Sequence, residues 1–326
     1  MITISFDVMG NDNGVKGAVK ASMKFIKANP NYKIILVGSE NDINKYLKPT
    51  KGIEILNVPK IVDLKKGAMI IRDKDNSMYK SIELVKDKKA DAVLSSGSSA
   101  AYIAYSTFNF KKLKGVSRPG FMPIFPTIIP EQKFIMMDVG ATLEADENLL
   151  YSWAKLGKVF SHKVLGVKNP KVAILNIGTE ENKGLKHHTK TYKLLKDNKS
   201  INFIGYVESR ELLNYAADVI VTDGYAGNIC LKSIEGTALS ISRLLKKNIM
   251  KNPIRILSYL LFKGVFKSLN STLDFRNTGG AWVMGVDAMV VKTHGSADMK
   301  SFMGALKLIK EAIKVESLKK IKEVLK

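Results

Sequence analysis

The sequence predicts an α/β fold built on a mostly parallel sheet, and three observations carry that prediction. Short apolar runs rich in Val and Ile alternate with amphipathic stretches of helical period. Runs of this length, apolar on both faces, suit strands covered by helices on each side, and the stretches between them suit βα crossovers. The runs also end alike, passing from apolar to small, polar or acidic residues. Finally, no Pro, Gly or Ser linker, internal repeat or low-complexity tract divides the 326 residues, so residues 1–326 are expected to form a single α/β domain.

In chain order, strands are expected at Ile2 to Val8, Lys33 to Val37, Ile53 to Val58, Ala92 to Leu94, Phe134 to Met137, Lys171 to Ile177, Asn202 to Ile204 and Asp218 to Val221. The first ends in Asp7-Val8-Met9-Gly10 and the fourth in Ser95-Ser96-Gly97-Ser98-Ser99. Later ends read Asp138-Val139-Gly140, Asn176-Ile177-Gly178 and Thr222-Asp223-Gly224. In a parallel sheet such ends share one edge, where ligands bind and glycine permits close approach. Several turns are therefore expected to converge on one site.

Composition narrows the function classes. The formal net charge is +22, but only six of the 52 basic residues are Arg, and solvated lysines on helix faces account for most of such an excess. Nucleic-acid binding would also have to avoid the sheet edge, where Asp7, Asp12, Asp138 and Asp223 would repel phosphates. The lone Cys230 excludes intramolecular disulfides and multi-Cys zinc patterns and suits a reducing compartment, with the cytoplasm as the default. No apolar stretch approaches the ~20 residues of a membrane span, and the N-terminus lacks the pattern of an export signal.

Several catalytic signatures are missing. There is no dinucleotide fingerprint, Walker loop, G-x-S-x-G elbow or H-E-x-x-H. No cofactor or metal is expected. The adjacent His187 and His188 should face different directions on a helix and lack an obvious third ligand. What remains is a set of small-residue turns, each opening a helical pattern and suited to holding an anion on backbone N–H groups. These are Asp7 to Gly14, Ser95 to Ala101, Gly178 to Gly184 and Asp223 to Asn228.

Taken together and in this order, the turns resemble the acyl-acyl-carrier-protein:phosphate acyltransferase family, of the PlsX type. Phe6-Asp7-Val8-Met9-Gly10 with Asp12-Asn13 is similar to that family's first motif, and Leu175 to Gly178 through Lys183-Gly184 to its central one. Asp73 to Met78, Arg118-Pro119, Asp138 to Ala141, Asp218 to Lys232, Gly279-Gly280-Ala281 and Lys292 to Ser296 extend the resemblance nearly end to end. Asn11 stands where the family usually has Gly, and Gly97-Ser98-Ser99-Ala100 replaces a Gly-Asn-Thr-Gly-like turn.

The resemblance implies a Rossmann-like three-layer α/β/α fold of the isocitrate/isopropylmalate dehydrogenase and phosphotransacetylase type. It also implies fatty acyl transfer between acyl-carrier protein and inorganic phosphate for phospholipid synthesis, by direct phosphate attack, in a homodimer. Within it, Lys183 is the first choice for stabilising phosphate and the developing oxyanion. Asn228 supplies a neutral donor, and Asp7 and Asp223 orient Lys183, accept a proton, or serve only as turn caps. Gly10, Asn13, Gly97, Ser98, Ser99, Gly178, Gly224, Gly227 and His294 are the expected phosphate or acyl-phosphate contacts. A phosphotransacetylase-like enzyme acting on short acyl-CoA is the alternative, and a nonenzymatic basic module the third reading.

One further stretch stands out. From Gly236 to Leu273 no acidic residue interrupts Arg243, Lys246, Lys247, Lys251, Arg255, Lys263 and Lys267. Asn252-Pro253 breaks it into two helices, expected as a protruding basic hairpin at about 236–273. Leu257, Leu260, Leu261, Phe262, Lys263 and Phe266 are its expected membrane contacts, on anionic lipid at the inner face of the membrane. A buried core helix or a dimer interface would use the same pattern.

Overall fold

The computed structural model describes residues 1–262, 264 and 279–325. The calls on Lys263 and Phe266, and the side chains of Leu260 and Leu261, lie outside the described residues. The strands are β1 Ile2–Asp7, β2 Tyr32–Gly38, β3 Ile53–Asn57, β4 Ala92–Ser95, β5 Gly120–Pro126, β6 Lys133–Met137, β7 Lys171–Leu175, β8 Asn202–Val207, β9 Val219–Val221, β10 Ala281–Met284 and β11 Met289–Lys292. All eight expected runs are strands, and three more, β5, β10 and β11, were not expected.

Those three decide the architecture. The sheet order is β3-β2-β1-β4-β11-β10-β5-β6-β9-β7-β8. Strands β3, β2, β1, β4 and β11 are parallel to one another, as are β6, β9, β7 and β8. Three antiparallel pairings in succession, β11 with β10, β10 with β5 and β5 with β6, separate the two sets. The two parallel halves therefore run in opposite senses. The expectation that all strand ends lie on one edge is corrected accordingly: Asp7 and Ser95 end at one edge, Asp138, Asn176 and Thr222 at the other. Strand β5 escaped the sequence reading because Pro123 and Pro126 demote a run that a Gly also opens.

Helices cover both faces. Ile4, Phe6, Leu36, Met122, Val172 and Val221 face one apolar layer, closed by helices including α1 Lys16–Ala28 and α5 Glu147–Lys163. Val93, Phe121, Phe125, Met136, Ala173 and Ile220 face the other, closed by α3 Ser77–Lys86 and α4 Ser99–Asn109. Alternation of neighbours such as Phe121 and Met122 between the layers is the period-2 consequence of strand geometry. Tyr102 on α4 pins the first half together, its hydroxyl donating to the carbonyls of Val93 and Val291, each at 3.1 Å.

The basic excursion begins earlier than expected. Helix α7 runs unbroken from Gly224 to Ile249, so the turn at Asp223 and the basic segment share one helix. Asn252 then caps the N-terminus of α8 Pro253–Leu261, its side chain accepting from the Ile254 N–H at 2.8 Å. Leu244, Met250, Ile254, Leu257 and Phe262 are exposed on these helices, Leu257 to 65%. No helix among the described residues is long and apolar enough to cross a membrane.

Candidate active site

Residues from both half-sheets meet around β5, which lies between them. A cavity of about 320 Å³ lies there, floored by Phe121, Pro123 and Phe125 of β5. The turn after β4 supplies Gly97 and Ser99, the turn after β6 supplies Gly140, α7 supplies Asn228 and Lys232, and the end of β11 supplies Lys292, Thr293 and His294. Both halves of the sheet thus line one cleft, although their strands point in opposite directions.

Its polar end is built on buried charge. The Ser95 hydroxyl donates to Asp7 Oδ2 at 2.7 Å, and the Met9 N–H donates to Asp7 Oδ1 at 3.2 Å. Burial pushes Asp7 up to about 6 in spite of these donors and of Ser77 and the positive charge of Lys292. Lys292, itself only 6% exposed, is brought down to about 8 by burial, with Asp7 and Asp12 opposing the shift. Its ammonium also donates to the Thr293 carbonyl. Burial thus shifts each group toward its neutral form, while each charge favours the charged form of the other.

His294 completes this end. The Ser296 N–H donates to its Nδ1 at 3.2 Å. Burial, Lys232 and Lys292 together hold the imidazole below its ordinary value, which favours its neutral form. With Nδ1 accepting, the proton resides on Nε2, which makes that nitrogen a donor.

The surrounding loops are stitched together by their own polar groups. The Asp12 N–H donates to the Gly295 carbonyl at 2.9 Å, the Asn11 amide to the Ala297 carbonyl at 3.2 Å, and the Asn13 amide to the Ser296 carbonyl at 2.9 Å. Asn11, the departure from the family pattern, thus ties the first turn to the last. Gly10, at φ 69°, leaves only 3.3 Å between the position of a Cβ and the Gly97 Cα, so a side chain there would press one turn against the other. Ser98 caps α4 by accepting from the Ala101 N–H.

The second half is organised around Asp138. Its carboxylate accepts from the N–H groups of Phe121, Gly140, Ala141 and Thr142, at 2.7 to 3.2 Å. That knot fixes the loop on which α7 rests: a Cβ at Gly227 would lie 1.9 Å from the Asp138 carbonyl oxygen, so only glycine allows this approach. Gly224 packs against the Thr142 carbonyl in the same way and donates its N–H to it at 2.8 Å. Gly224 and Gly227 seat the helix, and Asn228 follows them into the cleft against Gly140.

Not every expected site residue joins this cavity. Lys183 stands on the other side of α7, 44% exposed, paired with Glu180 at 3.3 Å and packed on Gly178. Neither Asp7 nor Asp223 orients it. Asp223 caps α7, accepting from the Ala226 N–H at 2.8 Å, and its other oxygen faces His187 and His188. Burial acts to raise Asp223, but the imidazoles and the Ala226 N–H outweigh it and leave it below the ordinary carboxylate range. This second cavity, about 950 Å³ and mostly apolar, is lined by Asn176, Leu185, His188, Asp223, Ile229 and Ile234 among others.

Sequence reasoning assigned no role to Lys292, the buried cation of the first cavity, nor to Lys232. Lys292 closes Met289-Val290-Val291, a short apolar run after a glycine, and a lysine at the end of such a run was the available signal. It was hidden among the 51 other lysines and arginines only because its strand had not been recognised.

A family model described as "Fatty acid synthesis protein" matches residues 2–320. The phosphate acyltransferase of Mycoplasmopsis pulmonis is 46% identical over 325 residues, covering all of both chains. That of Mycoplasmopsis agalactiae is 49% identical over 330 residues, covering all of this chain and 98% of the relative. A phosphotransacetylase from Streptococcus pyogenes superposes with a TM-score of 0.61 over 96% of this chain and 94% of its own, at 16% identity, which establishes a shared fold. By similarity along its whole length, the chain belongs to the phosphate acyltransferase family and is an acyltransferase that uses phosphate.

Proposed function

We propose that the chain transfers a fatty acyl group reversibly between the thioester of acyl-carrier protein and inorganic phosphate, supplying acyl phosphate for phospholipid synthesis, and that the first cavity is where this occurs. The observation that carries the reading is the buried Lys292, which lines the cavity with His294 and Asn228 at the end of an apolar floor, with Asp7 buried behind Gly97. Such an arrangement suits one anionic and one hydrocarbon substrate held side by side.

The missing nucleophile follows from the chemistry. Phosphate is already anionic near neutral pH, with a second pKa of roughly 6 by analogy with its monoesters. A thiol leaving group of pKa ~8.5 departs readily as thiolate. No Ser or Cys need be acylated. The phosphate oxygen attacks the thioester carbonyl, the tetrahedral oxyanion collapses, and the carbon–sulfur bond breaks to leave acyl phosphate and the carrier thiolate. Lys292 holds the phosphate, the negative charge of Asp7 favours the charged form of Lys292, and the Ser99 N–H supplements it. His294 Nε2–H and the Asn228 amide are neutral donors for the oxyanion. Phe121, Pro123, Phe125 and Leu231 exclude water from a labile mixed anhydride.

Loss of acyl-acyl-carrier protein that depends on phosphate, with hydroxylamine trapping of the product, tests the reading. Equal or faster turnover of acetyl-CoA in the same assay would favour the short-chain alternative instead.

The exposed apolar residues of α7 beyond Glu235 and of α8, set among cations without acids, support contact with an anionic membrane surface from the cytoplasmic side, in a homodimer. Vesicle flotation tests the first point: recovery should require anionic lipid and fall with Leu257→Asp. Equal recovery on neutral vesicles would count against it. Sedimentation equilibrium tests the second, and a monomer at micromolar concentration would exclude the homodimer.

A further inference from the structure

The second cavity holds a cluster that the acyl-transfer chemistry does not use. His187 and His188 open α6 Lys186–Asp197, and neighbours on a helix ordinarily diverge by about 100°. Here they converge: the ring centroids are 4.4 Å apart, and each Nε2 lies 3.7 Å from the same oxygen, Asp223 Oδ2. The expectation that the two rings face different directions without a third ligand is thereby corrected, since the fold brings the third from the start of α7.

Three features distinguish this cluster from an ordinary ion pair. First, 3.7 Å is too long for a hydrogen bond. It is close to the ~3.3 Å that separates two ligands on a tetrahedral ion with bonds of about 2.0 Å. Second, His188 is only 5% exposed, yet neither of its ring nitrogens has a hydrogen-bond partner, and neither does His187 Nε2. A buried imidazole left so is costly unless something else satisfies it. Third, the carboxylate is already aimed, because Oδ1 is held by the Ala226 N–H while Oδ2 is left for the imidazoles.

The geometry points to a divalent metal site formed by His187 Nε2, His188 Nε2 and Asp223 Oδ2, taking a zinc-type ion with its fourth position open to the second cavity. Two imidazoles and one carboxylate are a zinc donor set, whereas magnesium and calcium prefer all-oxygen shells. His188 and Asp223 both line the cavity, so a ligand entering it would meet the ion.

Metal binding is measured without any acyl-transfer assay, so this inference stands or falls separately from the proposed reaction. The full-length chain, stripped with chelator and dialysed against buffered zinc, should retain one zinc per chain. Cobalt in its place should give the strong visible absorption of a four-coordinate ion. His187→Gln, at a partly exposed position, should weaken zinc binding by about tenfold or more, and His188→Gln by more still. His162→Ala on a different helix and Cys230→Ser on the same cavity wall should leave it unchanged. Circular dichroism identifies any variant that fails to fold, and the cobalt spectrum of His187→Gln then decides. Zinc well below one per chain, or zinc retained by both histidine variants, would overturn the proposal, as would its loss in Cys230→Ser.

Discussion

Helix α7 divides two cavities of different character. On one side Asn228, Lys232 and Glu235 face a small cleft whose far wall holds the buried Lys292, with the Asp7 carboxylate behind Gly97. On the other, Ile229, Ile234 and Thr237 face a space about three times larger, largely apolar, with a histidine–aspartate cluster at its wall. The first is organised to hold charge against hydrocarbon. The second has room and donor atoms but no buried cation. One helix serves both because successive residues of Asp223 to Asn228 point to different sides of it, Asp223 to one cavity and Asn228 to the other.

The comparison can be broken most directly by exchanging the roles of the two lysines. Lys292→Met should lower phosphate-dependent kcat/KM by about 100- to 1,000-fold, the scale of removing a preorganised charge from a transition state. Lys183→Ala, across α7, should cost less in the same assay. If Lys183→Ala were the more damaging, the reaction would belong to the other side of the helix.

Next in size, His294→Gln and Asn228→Ala should each lower kcat by about tenfold or more with a smaller change in KM for phosphate, since each is assigned to the oxyanion rather than to ground-state binding. A rise in KM alone would reassign them to phosphate binding.

The pH dependence sharpens the same point. Activity should fall as pH rises past about 8, where Lys292 loses its proton, and fall below about 6, where Asp7 gains one. Asp7 raises Lys292, so Asp7→Asn should move the alkaline limb to lower pH. The same variant should be more stable near pH 7. Because burial raises the folded-state value of Asp7 above its unfolded one, its ionisation opposes folding, and that penalty is relieved as pH falls through about 6. Thermal melts at pH 5 and pH 8 measure it, and an unchanged alkaline limb would uncouple Asp7 from Lys292.

The smallest effect concerns the frame. Tyr102→Phe removes the hydroxyl bridging Val93 and Val291 and should cost about 1–2 kcal/mol in denaturant unfolding, with little effect on KM.

Much of this was legible from residue order. The eight apolar Val- and Ile-rich runs announce strands buried on both faces because such strands need no alternation, and the Asp7, Ser95, Asp138 and Asp223 turns announce where they stop. The sequence alone also carried the family, through ordered short motifs. It did not carry the sense of the two half-sheets. That depends on β5, β10 and β11, where prolines, glycines and a run of four residues mask the strand signal and long-range pairing supplies it instead. Nor did it separate Lys292 from the other lysines, or His187 and His188 from a solvated pair. Burial and a charge distant in sequence give those side chains their character: 284 residues lie between Asp7 and Lys292, and only the folded sheet, in which both strands flank β4, brings them near.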